Sequence, residues 1–245
     1  MNLEDRIALV TGAARRVGAE IVLALAGAGC HVAIQYRRSR SEAESLAAHI
    51  QRLGRRSVAL EADLEDAAQI GTLPARVVDS LGGLDVLVNN AGVFVPTRWG
   101  QSSPEEWLGC FRINTVAPVL LAQACWPVFQ ERGAGCVVNV TDIYAHRPLP
   151  SHAAYSASKA ALASATKSLA RLMAPTVRVN AVAPGVALFP ESYGPEEREK
   201  ALSKVPLRHV GCPADVAGAV VFLAGTADYI TGETVFVDGG RSVAW

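Results

Sequence analysis

The chain has 245 residues, 50% of them hydrophobic and 19% charged, which suits a compact globular protein and not a disordered or fibrous one. Lysines plus arginines equal aspartates plus glutamates at 23 each, so no overall field draws the molecule to nucleic acid or to an anionic membrane. Five scattered cysteines without metal-ligand spacing or a C-x-x-C pair read as reduced thiols, which points to a cytoplasmic protein with no metal site. In chain order, short apolar or β-branched runs alternate with longer helical patterns. Strand Ile7 to Val10 precedes helix Val17 to Gly27, and strand His31 to Tyr36 precedes helix Ser41 to Leu53. Strand Ser57 to Glu61 leads to helix Ala67 to Leu81, and strand Leu84 to Asn89 to a long helix over Pro104 to Gln130. Strand Gly135 to Val140 is followed by helix Ala153 to Met173, strand Val177 to Val182 by helix Pro213 to Ala224, and Glu233 to Val237 is the last strand.

This alternation predicts a single α/β domain over residues 1–245. Right-handed crossovers give it a parallel, doubly wound sheet of about seven strands with helices on both faces. Ligands of such a sheet sit beyond the carboxyl ends of its strands. The segment 185–207, with Pro190, Pro195 and several charges, breaks the pattern and is expected to lie over that edge as a substrate loop. No export signal is evident, and no segment is expected to supply the ~20 apolar residues that cross a bilayer.

The first strand runs into Thr11-Gly12-Ala13-Ala14-Arg15-Arg16-Val17-Gly18 before a helix. Glycines there let the backbone approach a pyrophosphate, whose charge a helix N-terminus stabilises. An ordinary strand-to-helix turn would read the same way. Three further segments are in register with it: Asn89-Asn90-Ala91-Gly92 after the fourth strand, Tyr155 followed four residues later by Lys159, and Pro184-Gly185 after the sixth. With Thr11, Gly12, Gly18 and Asn114, this order and spacing resembles the short-chain dehydrogenase/reductase family over essentially the whole chain.

The resemblance implies a nicotinamide dinucleotide, and Tyr36-Arg37-Arg38-Ser39 after the second strand selects NADPH. An NAD-selective protein places a carboxylate there for the ribose hydroxyls, whereas arginines meet a 2′-phosphate with charge and paired hydrogen bonds. Ser39 adds a donor and Arg15 lies in reach from the glycine turn. The alternative is that Arg37, Arg38 and Arg40 form a solvated basic face. Asp63 and Leu64, after the third strand, match the family's adenine-contacting position, although Asp63 equally fits a helix N-cap.

In the family, tyrosine donates a proton to the reduced substrate and lysine assists it, which assigns Tyr155 and Lys159 those roles. The two share a helix face, and a neighbouring ammonium is expected to lower the phenol from its usual ~10. Lys159 would also bond the nicotinamide ribose, and Asn114 would support a water chain behind it. At Val140-Thr141-Asp142, however, the serine that most members place against the substrate carbonyl is Asp142. An ionised aspartate only accepts hydrogen bonds and disfavours an oxyanion, so a substrate presenting N–H groups is better matched. Asp142 as a plain cap, or Thr141 in place of the serine, stays open.

Arg16 at the middle glycine position, Asp142, Tyr155 and Lys159 resemble the pteridine reductase subgroup, whose turn reads T-G-x-x-x-R-x-G. Phe94 follows Asn90-Ala91-Gly92-Val93 where that subgroup sets a phenylalanine across the substrate from the nicotinamide; loop packing is the plainer reading. The resemblance implies NADPH-dependent reduction of a pterin or dihydrofolate-like small molecule, with Arg16, Phe94, Asp142 and Tyr155 at the substrate. A 3-oxoacyl-thioester reductase and a catalytically silent NADPH-binding sensor are the alternatives. It also implies a homotetramer with the Pro104 to Gln130 and Ala153 to Met173 helices between subunits.

Overall fold

The computed structural model describes residues 1–187, 189 and 194–244. Strands β1 (Ile7–Val10), β2 (His31–Tyr36), β3 (Ser57–Glu61), β4 (Val86–Asn89), β5 (Gly135–Val140), β6 (Val177–Pro184) and β7 (Thr234–Val237) form one sheet, ordered β3-β2-β1-β4-β5-β6-β7. Every pairing is parallel. Helices α1 (Arg16–Gly27), α2 (Arg40–Arg52), α3 (Ala67–Leu81), α4 (Pro104–Phe111), α5 (Ala117–Arg132), α6 (Ala153–Leu172), α7 (Pro195–Leu202) and α8 (Pro213–Ala224) complete the chain. The expected doubly wound sheet is therefore observed.

Because successive strand side chains point to opposite faces, β1 divides its residues between two cores. Ala8 and Val10 join Ile21, Leu25, Ile50 and Val220 from α1, α2 and α8. Ile7 and Leu9 join Leu73, Val77, Leu121 and Phe129 from α3 and α5 on the other face. Leu9 is wholly buried, and its truncation to alanine would cost about 2–5 kcal/mol. Strand β1 has β2 on one side and β4 on the other, so the chain winds away from it in both directions. The loops after β1 and β4 consequently leave the sheet side by side and open a crevice between them.

The long helix expected over Pro104 to Gln130 is interrupted. A capping box starts α4, with Ser103 Oγ accepting from Glu106 N at 3.3 Å and Glu106 Oε2 accepting from Ser103 N at 3.1 Å. After Phe111 a single π-turn spans Arg112–Val116 before α5 begins. Pro118 accounts for a break there: it has no N–H to donate to the carbonyl of Asn114, four residues back. Contrary to expectation, the whole run Pro104–Arg132 is long and apolar enough to cross a membrane by length and composition. In this fold its Leu121, Ala122, Cys125 and Phe129 face the core instead. Within the expected substrate loop, α7 forms a short helix, while Leu188 and residues 190–193 lie outside the described residues.

Candidate active site

The glycine turn and the β4 loop are stitched together by Thr11. Its Oγ1 accepts from the backbone N–H groups of Asn90 and Ala91, each at 3.0 Å. Asn90 Nδ2 donates back to the carbonyls of Thr11 and Gly12 at 2.9 and 3.1 Å. Close approach makes glycine necessary here. Gly12 has φ +58°, and a Cβ on it would lie 2.8 Å from Ala91 Cα; one on Gly18 would lie 2.5 Å from the Gly12 carbonyl oxygen. Arg16 also has a positive φ, 55°, which an L-residue adopts only at a cost.

Beyond the turn, Gly12, Ala14, Arg15 and the segment Tyr36–Ser39 line a cavity of about 270 Å³. The structure thus brings Arg15, Tyr36, Arg37, Arg38 and Ser39 together, as expected. Arg37 is engaged with Glu65 at 3.0 Å and Asp63 at 3.6 Å, and Arg15 lies 3.6 Å from Glu42. Arg38 has no ion pair among the described residues. Arg40 turns away to Glu61 and Glu44 and behaves as the solvated charge of the alternative reading. Asp63 does not cap α3; that place belongs to Asp66, whose Oδ1 accepts from Ala68 N at 2.8 Å. Asp63 Oδ1 instead accepts from Glu65 N at 3.0 Å, and neither cavity is lined by it.

The main cleft, about 780 Å³, runs from Gly12 past Arg16, Val17, Gly18, Leu64 and Asn90 to Phe94, Asp142, Tyr155, Lys159, Pro184 and Gly185. At its centre Tyr155 donates its hydroxyl hydrogen to Asp142 Oδ2 at 2.7 Å. Asp142 Oδ1 accepts from Tyr144 N at 2.8 Å, so this carboxylate both caps a short turn and holds the phenol. Thr141 does not take the serine's place: its hydroxyl is buried and donates to the Val182 carbonyl at 3.0 Å. Lys159 Nζ donates to the Val140 carbonyl at 2.7 Å.

Asn114 is buried in the π-turn. It accepts from Val93 N at 2.9 Å and donates to Val93 O and Ser158 Oγ, each at 3.0 Å. A Cβ on Gly92 would meet Asn114 Oδ1 at 3.1 Å and Lys159 Nζ at 3.5 Å, so those two groups flank the bare backbone of the β4 loop. Phe94 lies edge-on to Tyr155, with ring centroids 4.7 Å apart, and its face stacks on His152 at 4.0 Å.

Burial sets the electrostatics. It raises Asp142 above the ordinary carboxylate value, opposed by the Tyr144 N–H, the Tyr155 hydroxyl and the charges of Lys159 and Arg241. Burial, and then the charge and hydrogen bond of Asp142, push Tyr155 well above its usual value. This reverses the expectation that Lys159 lowers the phenol. Desolvation brings Lys159 itself down to about 8, partly offset by Asp142.

Four residues at the site were not anticipated from the sequence. Gln35 is buried in β2 and ties the loops together, accepting from Gly12 N at 2.9 Å and donating to Ala62 O at 2.7 Å. An amide inside the apolar run from Val32 to Tyr36 is its visible signal. Tyr144, His152 and Arg241 offer none, because folding alone brings Tyr144 and Arg241 to the cleft and His152 onto Phe94 behind it.

These residues fit a dinucleotide: Gly12 and Gly18 leave a cradle that a Cβ would fill, at the N-terminus of α1 and beside an arginine-lined cavity. A family model described as enoyl-(acyl carrier protein) reductase matches residues 12–242. The 3-oxoacyl-(acyl-carrier-protein) reductase FabG of Staphylococcus aureus (strain Mu50) is 36% identical over 237 residues, covering 95% of this chain and 96% of that one. FolM alternative dihydrofolate reductase 1 from Brucella suis, solved in complex with NADP, superposes with a TM-score of 0.93 at 36% identity, covering 100% of this chain and 98% of that one. Its counterpart from Brucella canis, complexed with NADP, gives 0.91 at 35% identity, covering 100% and 97%. With that cradle and the Tyr155–Lys159 pair in place, the chain belongs to the short-chain dehydrogenase/reductase family and is an NADPH-dependent oxidoreductase.

Proposed function

We propose that the protein reduces a C=N bond in a pterin or dihydrofolate-like ring. The observation that carries this reading is Asp142, a half-buried hydrogen-bond acceptor held against Tyr155 where a carbonyl reductase needs a donor. The amino and ring N–H groups of a pteridine complement its oxygens, and Phe94 supplies a flank for a flat ring. Two relatives carry the name alternative dihydrofolate reductase, which supports the same chemistry.

Bound NADPH supplies the hydride, and the ring nitrogen takes one proton. Gly12, Arg16, Val17 and Gly18 would hold the pyrophosphate, and Arg15, Arg37, Arg38 and Ser39 the 2′-phosphate. Leu64, Asn90, Ala91, Gly92, Pro184 and Gly185 would line its path, with Asp63 set back behind Arg37. Tyr155, protonated at neutral pH, delivers the proton; Asp142 orients the phenol and receives the substrate's N–H groups. Lys159 keeps its charge below about 8 and would hold the nicotinamide ribose, with Asn114 fixing the loop in front of it.

The 36% identity to FabG favours a second reading, reduction of a 3-oxoacyl thioester. NADPH oxidation with dihydrobiopterin, dihydrofolate and an acetoacetyl thioester, for wild type and Asp142→Ser, separates the two. Pterin turnover that collapses in the variant supports the first; thioester turnover with inert pterins overturns it. Cofactor binding with no turnover of either would favour the silent sensor, against which the intact Tyr155 and Lys159 stand. We also propose a homotetramer packed through α4, α5 and α6, where Leu108, Val116 and the half-buried Ala157, Ala160, Ala161 and Ala165 remain uncovered. Light scattering behind size-exclusion chromatography tests it, and a strict monomer removes it.

A further inference from the structure

The carboxyl-terminal segment returns to the cleft in a fixed shape. Asp238 accepts from Gly240 N at 2.9 Å and from Ser242 N at 2.6 Å, and its carbonyl accepts from Arg241 N at 3.1 Å. Arg147 clamps the segment from the other side, donating to the carbonyls of Arg241 and Ser242 at 3.1 and 3.2 Å and to that of Ala244. Gly239 and Gly240, at φ +61° and +83°, pass so close to Val205 and Pro206 that a Cβ on either would collide or crowd.

The backbone is thus pinned without help from the Arg241 side chain, which lines the cleft. Its guanidinium lies over the Tyr144 ring, 5.6 Å from the centroid, and Nη2 donates to the Tyr144 hydroxyl at 3.3 Å. No carboxylate among the described residues pairs with it. A planar fork with one donor engaged on a phenol, its charge felt by Asp142 but with no carboxylate of the described residues at ion-pair distance, is suited to a substrate carboxylate. The Tyr144 backbone N–H donates to Asp142 while its hydroxyl, at the far end of the ring, receives Arg241, so this seat lies in the same cleft as the reacting centre and a side chain's length from it.

We propose that Arg241 is the seat for a carboxylate on the substrate's side chain and selects pterins bearing an acidic tail, of the dihydrofolate kind, over pterins with a neutral side chain. The inference rests on the pterin reading above and adds the substrate class. It is tested by measuring kcat and KM for dihydrofolate and dihydrobiopterin with wild type, Arg241→Met and Arg241→Lys. Loss of a charge-assisted hydrogen bond should raise the ratio of the two KM values, dihydrofolate over dihydrobiopterin, about tenfold in the Met variant. The Lys variant, retaining the charge, should raise it less.

An unchanged ratio with both pterins turned over overturns this inference and leaves the pterin reading intact. A common fall in kcat with a displaced pH profile also overturns it, because the guanidinium would then be acting on Asp142 and not on a tail. If wild type turns over neither pterin, the pterin reading falls and this one with it.

Discussion

The hydroxyl of Tyr155 donates its hydrogen to Oδ2 of Asp142 at 2.7 Å, the phenol buried and the carboxylate half-buried. Asp142's charge is one of the causes that hold the phenol high, so its removal has a defined sign. Asp142→Asn should bring the Tyr155 titration down, while burial still keeps it above an ordinary tyrosine. Ultraviolet titration of the phenolate, referenced to Tyr155→Phe, reads this directly. An unmoved midpoint would mean that the pair is not electrostatically coupled.

Lys159 lends the fold a pH dependence. Its folded pKa, about 8, lies below the ordinary 10.5, so between those values the unfolded chain binds more protons than the native one. Stability from this group therefore rises with pH across that window, and the burial penalty is fully present below it. Wild type should gain on Lys159→Met as pH goes from 7 to 9.5, measured as urea midpoints. A gap that stays constant across that range would show that Lys159 titrates normally.

Arg38 and Arg37 should not contribute equally to cofactor choice. Arg37 is engaged with Asp63 and Glu65, whereas Arg38 has no ion pair among the described residues and lines the same cavity. Arg38→Ala should weaken NADPH binding about tenfold, and Arg37→Ala less, with NADH little affected by either. Fluorescence titration of each variant with both dinucleotides gives the comparison; equal losses for NADPH and NADH would remove the 2′-phosphate assignment.

Gln35→Leu tests the loop tie. The change leaves the Gly12 N–H and the Ala62 carbonyl without their partner, a loss of roughly 2 kcal/mol in stability. NADPH binding should weaken as the glycine turn loosens. A variant with wild-type stability and affinity would make Gln35 a bystander.

Much of this architecture was legible in the sequence because its causes are local. Strand β1 announces itself by four apolar residues ending at Thr11-Gly12, and the Tyr155–Lys159 spacing places both groups on one turn of α6. Asp142 stood out because its chemistry contradicts its position. The break at Arg112–Val116 was hidden by continuous helical patterning, although Pro118 held the clue. Arg241 and Tyr144 meet across 97 residues of chain, a proximity that depends on the Asp238 turn and the Arg147 clamp and on no periodic pattern. The titration of Tyr155 is hidden from the sequence for the same reason: it follows from which neighbour the hydroxyl faces, and that neighbour is Asp142 in place of Lys159.

The left-handed backbone at Arg16 carries an evolutionary consequence. Holding an arginine at φ 55° costs about 1 kcal/mol that glycine would not incur. Replacing it with glycine should make the free protein tougher to heat while stripping a guanidinium from the cleft. Selection for thermal endurance alone would thus erode the cleft first at this position, and a heat-hardened descendant would be expected to have drifted toward a less discriminating reductase.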